Sequence, residues 1–244
     1  MSPRHGARVV CADIDEGGLA NVVDGINSEF PGCGIAKRAD VSSVSDVKGL
    51  VEECVSKFGK IDVFFANAGI LNKRVPIPEE DEEEFMRTMS VNVLSAFTAI
   101  KYAGPAMAKT GGGSIICTAS IAALRADLTP LQYAASKGAI LSMVRSANDR
   151  FLQQNVRVNA ILPGGVLTPI VFSVMKGLNE QGLELKGYDN ERFPAIEPIE
   201  IAQAVVFLAS DASSCVKGHA LVADGGMSNS MGSQPYPVAI KSKM

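Results

Sequence analysis

Metal-binding side chains are scarce in this sequence of 244 residues, which has only two histidines and five cysteines. The cysteines are scattered, and none of them belongs to a Cys-x-x-Cys pair. A zinc cluster needs several ligands at close spacing, so we predict no metal site. An odd number of separated cysteines is typical of reduced thiols, which indicates an intracellular, cytoplasmic protein.

Long apolar runs and strong charge are lacking as well. No stretch approaches the about 18 consecutive apolar residues of a membrane-spanning helix. The net charge is −3 and the isoelectric point is ≈ 5.5, with no basic cluster. We therefore expect neither a nucleic-acid partner nor a membrane partner. The run from Ala7 to Asp13 resembles a strand that ends in an acid, and not a signal peptide.

The hydrophobic pattern predicts a single α/β domain. Short apolar runs alternate with longer helix-period segments, which is typical of a doubly wound parallel sheet with helices on both faces. A chain of this length, 47% hydrophobic, can bury a substantial core. The predicted strands are 7–12, 34–39, 61–66, 113–118, 156–161 and 219–223. The predicted helices are 16–29, 43–58, 80–107, 130–153 and 198–209.

An acidic run extends from Glu79 to Glu84, directly after Pro78. Carboxylates at the start of a helix complement its dipole, so we interpret this run as the solvated beginning of the third helix. A binding patch is the alternative.

Residues 170–197 break the α/β alternation, because they mix apolar side chains with glycines and amides. An irregular apolar stretch that leaves a strand end is typical of a lid over a substrate. A pair of surface helices explains the same composition, and the residues alone leave both interpretations open.

Tyr133 and Lys137 point most directly to chemistry. They are four positions apart in a predicted helix, so both lie on one face. An ammonium beside a phenol favours the phenolate, which lowers a tyrosine pKa from its ordinary value of about 10. Such a phenol exchanges a proton with a carbonyl or an alcohol, and Ser120 could donate a hydrogen bond to the same oxygen. The alternative is a surface helix whose tyrosine packs on a lysine stem.

Small, amide and acidic residues follow the first five predicted strands, at the edge where open α/β sheets bind ligands. They are Asp13, Asp40-Val41, Ala66-Asn67-Ala68-Gly69, Thr118-Ala119-Ser120 and Pro163-Gly164-Gly165-Val166-Leu167-Thr168-Pro169. Any one of them could be an ordinary turn. Their occurrence at five strand ends in order, around the tyrosine and lysine, favours a shared site.

With these motifs the sequence from Arg8 to Met227 resembles the short-chain dehydrogenase/reductase family. The resemblance implies a Rossmann-like domain over residues 1–227 and a C-terminal tail over 228–244. It implies that Tyr133 is the general acid/base, that Lys137 lowers its pKa and binds the nicotinamide ribose, and that Ser120 positions the carbonyl.

The resemblance extends to Asn92, which matches the helix asparagine that holds a proton-relay water. Without that setting, a satisfied mid-helix amide would be the better interpretation of Asn92.

The resemblance also implies a dinucleotide site. Asp40 and Val41 resemble the adenine pocket, and Asn67, Ala68 and Gly69 resemble the family's Asn-Asn-Ala-Gly element, with Ala66 in place of its first asparagine. The turn that binds the carboxamide corresponds to Pro163, Gly164, Val166 and Thr168. Asp13 would accept hydrogen bonds from the adenosine ribose and repel a 2′-phosphate, and Ile14 offers that phosphate no cation. The expected cofactor is therefore NAD.

One family element is not recognisable in the sequence. The family begins with a strand, a Thr-Gly-x-x-x-Gly-x-Gly turn and a helix, whose N–H groups hold the pyrophosphate. Here Met1 to Ala7 resembles only the end of that helix, so we expect the first β-α unit to be missing, as in an incomplete or alternative gene product. The strands at 7–12 and 61–66 would then either pair directly or leave apolar faces exposed.

The C-terminal tripeptide Ser242-Lys243-Met244 resembles a peroxisomal address with Met in place of Leu. Peroxisomal targeting and an untargeted cytoplasmic tail both remain open. The helix around Tyr133 carries several small residues, and by resemblance it would join the preceding long helix in a homodimer or homotetramer interface.

The expected function is NAD-dependent interconversion of a secondary alcohol and a ketone on a mainly apolar small molecule. Two other interpretations stay open. One is a catalytically silent truncated form that acts only by assembling with full-length subunits. The other is a dehydratase or an epimerase on the same fold.

Overall fold

All six predicted strands form, each within two residues of its expected bounds. The computed structural model describes residues 6–125, 129–170 and 196–229. The strands are β1 (Val9–Asp13), β2 (Gly34–Arg38), β3 (Val63–Ala66), β4 (Gly113–Thr118), β5 (Val156–Pro163) and β6 (Ala220–Ala223). The predicted lid at 170–197 lies almost entirely at positions 171–195, outside the described residues, as does the chain from 230 onwards.

The predicted helices form as well, and only the third differs in kind. The helices are α1 (Glu16–Glu29), α2 (Val44–Phe58), α3 (Glu82–Thr88), α4 (Ser95–Ala108), α5 (Leu131–Phe151) and α6 (Pro198–Ala209). The single helix expected over 80–107 is divided into α3 and α4 by a π-helical segment, Met89–Leu94. Within the described ranges, no helix combines the length and apolarity that a bilayer crossing requires.

Side-chain caps explain where several helices begin. Asp15 accepts hydrogen bonds from Gly17 N and Gly18 N at the start of α1, and Ser43 does the same for Asp46 N in α2. Asp81 caps α3 by accepting from Glu84 N at 2.8 Å. The interpretation of the acidic run as a helix start is therefore confirmed.

The strands form two parallel sheets. β1 pairs with β2, and β3, β4, β5 and β6 pair in that order. Among the described residues β1 and β3 do not pair with each other, so the alternative of direct pairing between them is wrong. All four residues of β3 remain partly exposed, whereas β5 is buried from Val156 to Leu162. The predicted loss of a preceding strand stays a prediction.

Alternate residues of the central strands face two apolar layers. Ile115 and Cys117 of β4 join a cluster with residues of α4 and α5. Ile116 and Ile161, on the other face, pack with Val205 and Leu208 of α6. Helices therefore cover both faces of the four-stranded sheet, as the doubly wound pattern predicts. Parallel strands buried on both faces also bring their carboxyl ends to one edge, where the candidate site lies.

Candidate active site

Three strand ends and one helix build the catalytic part of the site. β3, β4 and β5 pair in parallel and end at Ala66, Thr118 and Pro163. Helix α5 begins after Pro130 and packs against the short 3₁₀ turn Ile121–Ala123 that follows β4. This packing carries Tyr133 and Lys137 to the end of β4.

Ser120 and Tyr133 meet through their side chains. The Ser120 hydroxyl accepts from Ala122 N at 3.1 Å, which fixes its rotamer at the start of the 3₁₀ turn. Its hydrogen bond with the Tyr133 phenol lowers the pKa of Tyr133, but burial of the ring raises that pKa by more. The pKa of Tyr133 is therefore raised from its ordinary value, which favours the protonated phenol.

The Lys137 side chain runs beneath the Tyr133 ring. It is 3% exposed, its Nζ lies 5.5 Å from the ring centroid, and Nζ donates to Thr118 O at 2.8 Å. Burial lowers the pKa of Lys137 from 10.5 to about 8, opposed by the nearby Cys117. Burial of the phenol outweighs the Ser120 hydrogen bond in setting the direction of the Tyr133 pKa, and the lowering of that pKa by Lys137 stays a prediction.

Asn92 is held in the π-helical segment and is 1% exposed. Its Oδ1 accepts from Ile70 N at 2.8 Å, and its Nδ2 donates to Ile70 O at 3.0 Å. A second Nδ2 hydrogen bond, also 3.0 Å long, reaches the Ser136 hydroxyl on α5. Asn92 therefore ties the loop after β3 to the helix that carries Tyr133.

Gly69 occupies the point where that loop approaches the catalytic side chains most closely. A Cβ at Gly69 would lie 3.2 Å from Asn92 Oδ1 and 3.3 Å from Lys137 Nζ. A larger residue here would displace one of these two groups. Two residues before Gly69, the Asn67 side chain accepts a hydrogen bond from the Thr118 hydroxyl at 2.9 Å, and the intervening Ala68 is exposed.

The turn after β5 is built against β6. A Cβ at Gly164 would lie 3.0 Å from Asp224 Cα, so the turn and the end of β6 are in close contact. Val166 forms an isolated parallel bridge with Ile196, and the Thr168 hydroxyl donates to Val166 O at 3.2 Å. These residues leave Pro163 and Gly164 partly exposed at the edge where β3 and β4 also end.

The residues expected to bind adenosine lie on the other sheet. Asp13 ends β1 and stands opposite Arg38 in the β1–β2 register, and its carboxylate is exposed. Asp13 Oδ1 accepts from Asp15 N at 3.0 Å, and the residue lines a cavity of ≈ 160 Å³ between β1 and α1. The site therefore has two parts, and no strand pairing among the described residues joins them.

Asp40 and Val41 follow β2 on the same edge as Asp13. Asp40 accepts from both the backbone and the hydroxyl of Ser42, which lowers its pKa, and Val41 is partly buried. No cluster of metal ligands occurs in the part of the chain that the structure describes.

Ser136 was not predicted as part of the site, and neither was the role of the Thr118 carbonyl. Ser136 is fully buried and contacts both Asn92 and the Tyr133 backbone, and the Thr118 carbonyl anchors Lys137. A serine inside a helix often donates to the carbonyl three or four residues before it, which would have indicated the Tyr133 contact. No local signal indicates the contact with Asn92, since the two residues are 44 positions apart.

Comparison with known proteins shows what the sequence and the fold are similar to. A family profile described as enoyl-(acyl carrier protein) reductase matches residues 3–228. Short-chain dehydrogenase reductase 4 from Arabidopsis thaliana is 40% identical over 229 residues, which is 92% of this chain and 75% of that protein.

Solved structures agree with that grouping. The crystal structure of levodione reductase is 29% identical, with a TM-score of 0.87 over 93% of this chain and 90% of that one. A 7α-hydroxysteroid dehydrogenase complexed with NADH and 7-oxo glycochenodeoxycholic acid is 32% identical, with a TM-score of 0.78 over 90% of this chain and 84% of that one. Among the similar structures, some were solved with NADH and one with NADP.

Proposed function

This chain belongs to the short-chain dehydrogenase/reductase family of oxidoreductases, and on that premise we propose that it interconverts a secondary alcohol and a ketone with NAD. The observation that carries the proposal is the hydrogen bond between Ser120 and Tyr133, with Lys137 buried beneath the tyrosine ring. This arrangement presents two hydroxyl groups to one substrate oxygen.

The residues around the nicotinamide position fit such a cofactor. Gly69 leaves room beside Lys137 Nζ, and the Val166–Thr168 turn offers backbone polar groups at the same edge. Lys137 would bind the nicotinamide ribose, and Asn67, Ala68, Pro163 and Gly164 would line the path between the strand ends. When bound, the nicotinamide ring accepts or supplies the hydride.

In the reduction direction Ser120 donates a hydrogen bond to the carbonyl oxygen and holds it beside Tyr133. Tyr133 then gives its proton to that oxygen, and its raised pKa keeps the proton available at neutral pH. The Lys137 ammonium, 5.5 Å from the Tyr133 ring centroid, would stabilise the phenolate that remains. Asn92 would hold the water through which the proton is returned. Oxidation of an alcohol uses the same groups in reverse.

The choice of NAD rests on Asp13. Its exposed carboxylate at the end of β1 can accept from ribose hydroxyls and would repel a 2′-phosphate. Asp40 and Val41 at the end of β2 would complete the adenine pocket. The neighbouring Ile14 is 61% exposed and brings no positive charge.

A mainly apolar substrate belongs to the same proposal, and it is supported by exposed leucines close in sequence to the catalytic groups. Leu124 and Leu131 flank Ser120 and Tyr133 in sequence and are 51% and 57% exposed. The names of levodione reductase and 7α-hydroxysteroid dehydrogenase support a cyclic carbonyl or alcohol. A homodimer or homotetramer through α4 and α5 belongs to the same proposal.

A catalytically silent form that acts only by assembling with full-length subunits is the second candidate. The observation that favours it is the separation of the sheet between β1 and β3, which divides the expected cofactor site. A missing strand and glycine-rich turn would also remove the backbone N–H groups that hold a pyrophosphate.

One experiment separates the two candidates. NADH is titrated into the purified chain while nicotinamide fluorescence is followed, and NAD turnover is then assayed with a panel of cyclic secondary alcohols. Saturable binding with turnover supports the enzyme, and the matched variant Tyr133→Phe should bind NADH without turnover. No saturation up to millimolar NADH favours the silent form. Tight binding with no turnover of any alcohol would favour a dehydratase or an epimerase.

A further inference from the structure

We propose that Ser136 is a positioning residue, whose hydroxyl fixes the orientation of the Asn92 amide relative to Tyr133 and Lys137. The expected effect on the reaction rate rests on the proposed function. The orientation of the Asn92 amide follows from the hydrogen bonds of the Ser136 side chain alone. Ser136 is fully buried on α5, immediately before Lys137 and three residues after Tyr133.

The single proton of the Ser136 hydroxyl is already committed. Ser136 Oγ donates to Tyr133 O at 2.7 Å, so the oxygen can only accept from its other neighbour. That neighbour is Asn92 Nδ2, at 3.0 Å. Ser136 therefore selects the amide orientation in which the nitrogen of Asn92 faces α5.

Ile70 selects the same orientation from the opposite side. Its N–H must face an oxygen and its C=O must face an N–H, and Asn92 supplies both at 2.8 and 3.0 Å. Three hydrogen bonds thus use both Nδ2 protons and one acceptor position of Asn92. No alternative rotamer of the amide could keep all three.

This network reaches the reacting groups through short links. Gly69, next to Ile70, has its Cα hydrogen aimed at Asn92 Oδ1 and Lys137 Nζ, where a Cβ would be only 3.2 and 3.3 Å away. A tilt of the Asn92 amide would shift the Gly69–Ile70 backbone and, with it, the space beside the lysine. Loss of the Ser136 hydroxyl would allow that tilt, because one Nδ2 proton would be buried without an acceptor.

The test compares Ser136→Ala with Ser114→Ala. Ser114 is a matched control, since it is also buried and its hydroxyl donates one bond, of 2.8 Å, to Leu208 O in the α6 layer. We expect kcat of Ser136→Ala to fall by about tenfold to about 100-fold while KM changes little, because positioning acts on the reacting geometry. Ser114→Ala should keep both constants, measured with NAD and the best cyclic alcohol of the panel.

A double-mutant cycle distinguishes positioning from general weakening of the fold. Adding Ser136→Ala to Asn92→Ala should leave kcat unchanged, since the serine acts through the asparagine. A further tenfold loss in the double variant would overturn the proposal. Equal losses in Ser136→Ala and Ser114→Ala would also overturn it.

Amide hydrogen exchange at Ile70 provides a readout that needs no activity. We expect Ile70 to exchange at least about tenfold faster in Ser136→Ala than in the wild type, and to be unchanged in Ser114→Ala. Unchanged Ile70 exchange in Ser136→Ala contradicts the proposal, whether or not the enzyme turns over. If the wild type proves inactive but Ile70 still exchanges faster in Ser136→Ala than in the wild type, the positioning role is supported and only the proposed reaction is rejected. Should Ser136→Ala not fold, Ser136→Cys, whose thiol is a weaker hydrogen-bonding group, should change Ile70 exchange in the same direction.

Discussion

Replacing Lys137 by methionine should change how the stability of the protein depends on pH. Burial lowers the pKa of Lys137 from 10.5 to about 8 in the folded chain. Below about pH 8 the lysine is charged in both states, so its contribution is constant. Between about pH 8 and about pH 10.5 the unfolded chain still holds a proton that the folded chain has released. The free energy of unfolding of the wild type should therefore rise with pH across that window, and the methionine variant should lack the rise.

The size of the effect follows from the same two pKa values. Each pKa unit corresponds to about 1.4 kcal/mol, so the full fall in the Lys137 pKa corresponds to about 3 kcal/mol. About 1 kcal/mol of this should appear between about pH 7 and about pH 9. Cys117 limits the useful range, because burial raises the pKa of its thiol from 9.0 to about 12 and this opposes the lysine effect above pH 9. Subtracting the variant from the wild type removes most of the cysteine contribution.

Urea denaturation at a series of pH values gives the two stability curves. Lys101→Met serves as the control, because it removes the same charge from an exposed position on α4. The free energy of unfolding of the wild type minus that of Lys137→Met should rise with pH. The same difference calculated with Lys101→Met should stay constant. Parallel curves for wild type and Lys137→Met would refute the placement of a buried ammonium beneath Tyr133.

Four further predictions concern the cofactor, the reaction, the loop and the tail. Asp13→Ala combined with Ile14→Arg should shift the ratio of kcat/KM values from NAD toward NADP, and an unchanged ratio would reject the assigned role of Asp13. Tyr133→Phe should lower kcat by about 10² to 10⁴ with NADH affinity retained, whereas a small loss would reject proton transfer by this residue. Gly69→Ala should lower the free energy of unfolding by about 1 kcal/mol in urea and reduce kcat, because its Cβ meets Asn92 and Lys137. A fluorescent reporter that carries about the last ten residues should move to peroxisomes if the terminal tripeptide is an address, and a diffuse reporter would reject it.

The secondary structure could be predicted because its causes are local. The positions of the strands and helices followed from the hydrophobic period, and the acidic run after Pro78 marked the start of α3 to within two residues. The π-helical segment at 89–94 could not be predicted; it contains Asn92, whose hydrogen-bond partner Ile70 lies 22 residues away in sequence. Tertiary contacts of this kind leave no periodic signal.

The candidate site was predictable in its members and less so in its electrostatics. The positions of Ser120, Tyr133 and Lys137 follow from spacing and from the parallel strand order. The direction of the Tyr133 pKa does not, because it depends on how much water burial removes from the phenol and on where Lys137 Nζ is anchored. The role of Ser136 likewise depends on contacts between elements that are distant in sequence.

The sequence does not specify that β1 and β3 belong to separate sheets. Within each group the strands pair in sequence order, β1 with β2 and β3 through β6 in turn. Whether two edges pair depends on the twist and on the helices packed over them, which the apolar pattern does not specify.

The most direct test of the central claim is the rate of NAD reduction by the wild type and by Tyr133→Phe, measured side by side with the panel of cyclic secondary alcohols. We predict NADH formation by the wild type with at least one alcohol, and a rate lower by about two orders of magnitude or more in the variant, at equal NADH affinity. Equal rates in both proteins would contradict it, because proton transfer by Tyr133 would then not contribute. Absence of turnover together with absence of NADH binding would support the silent form instead.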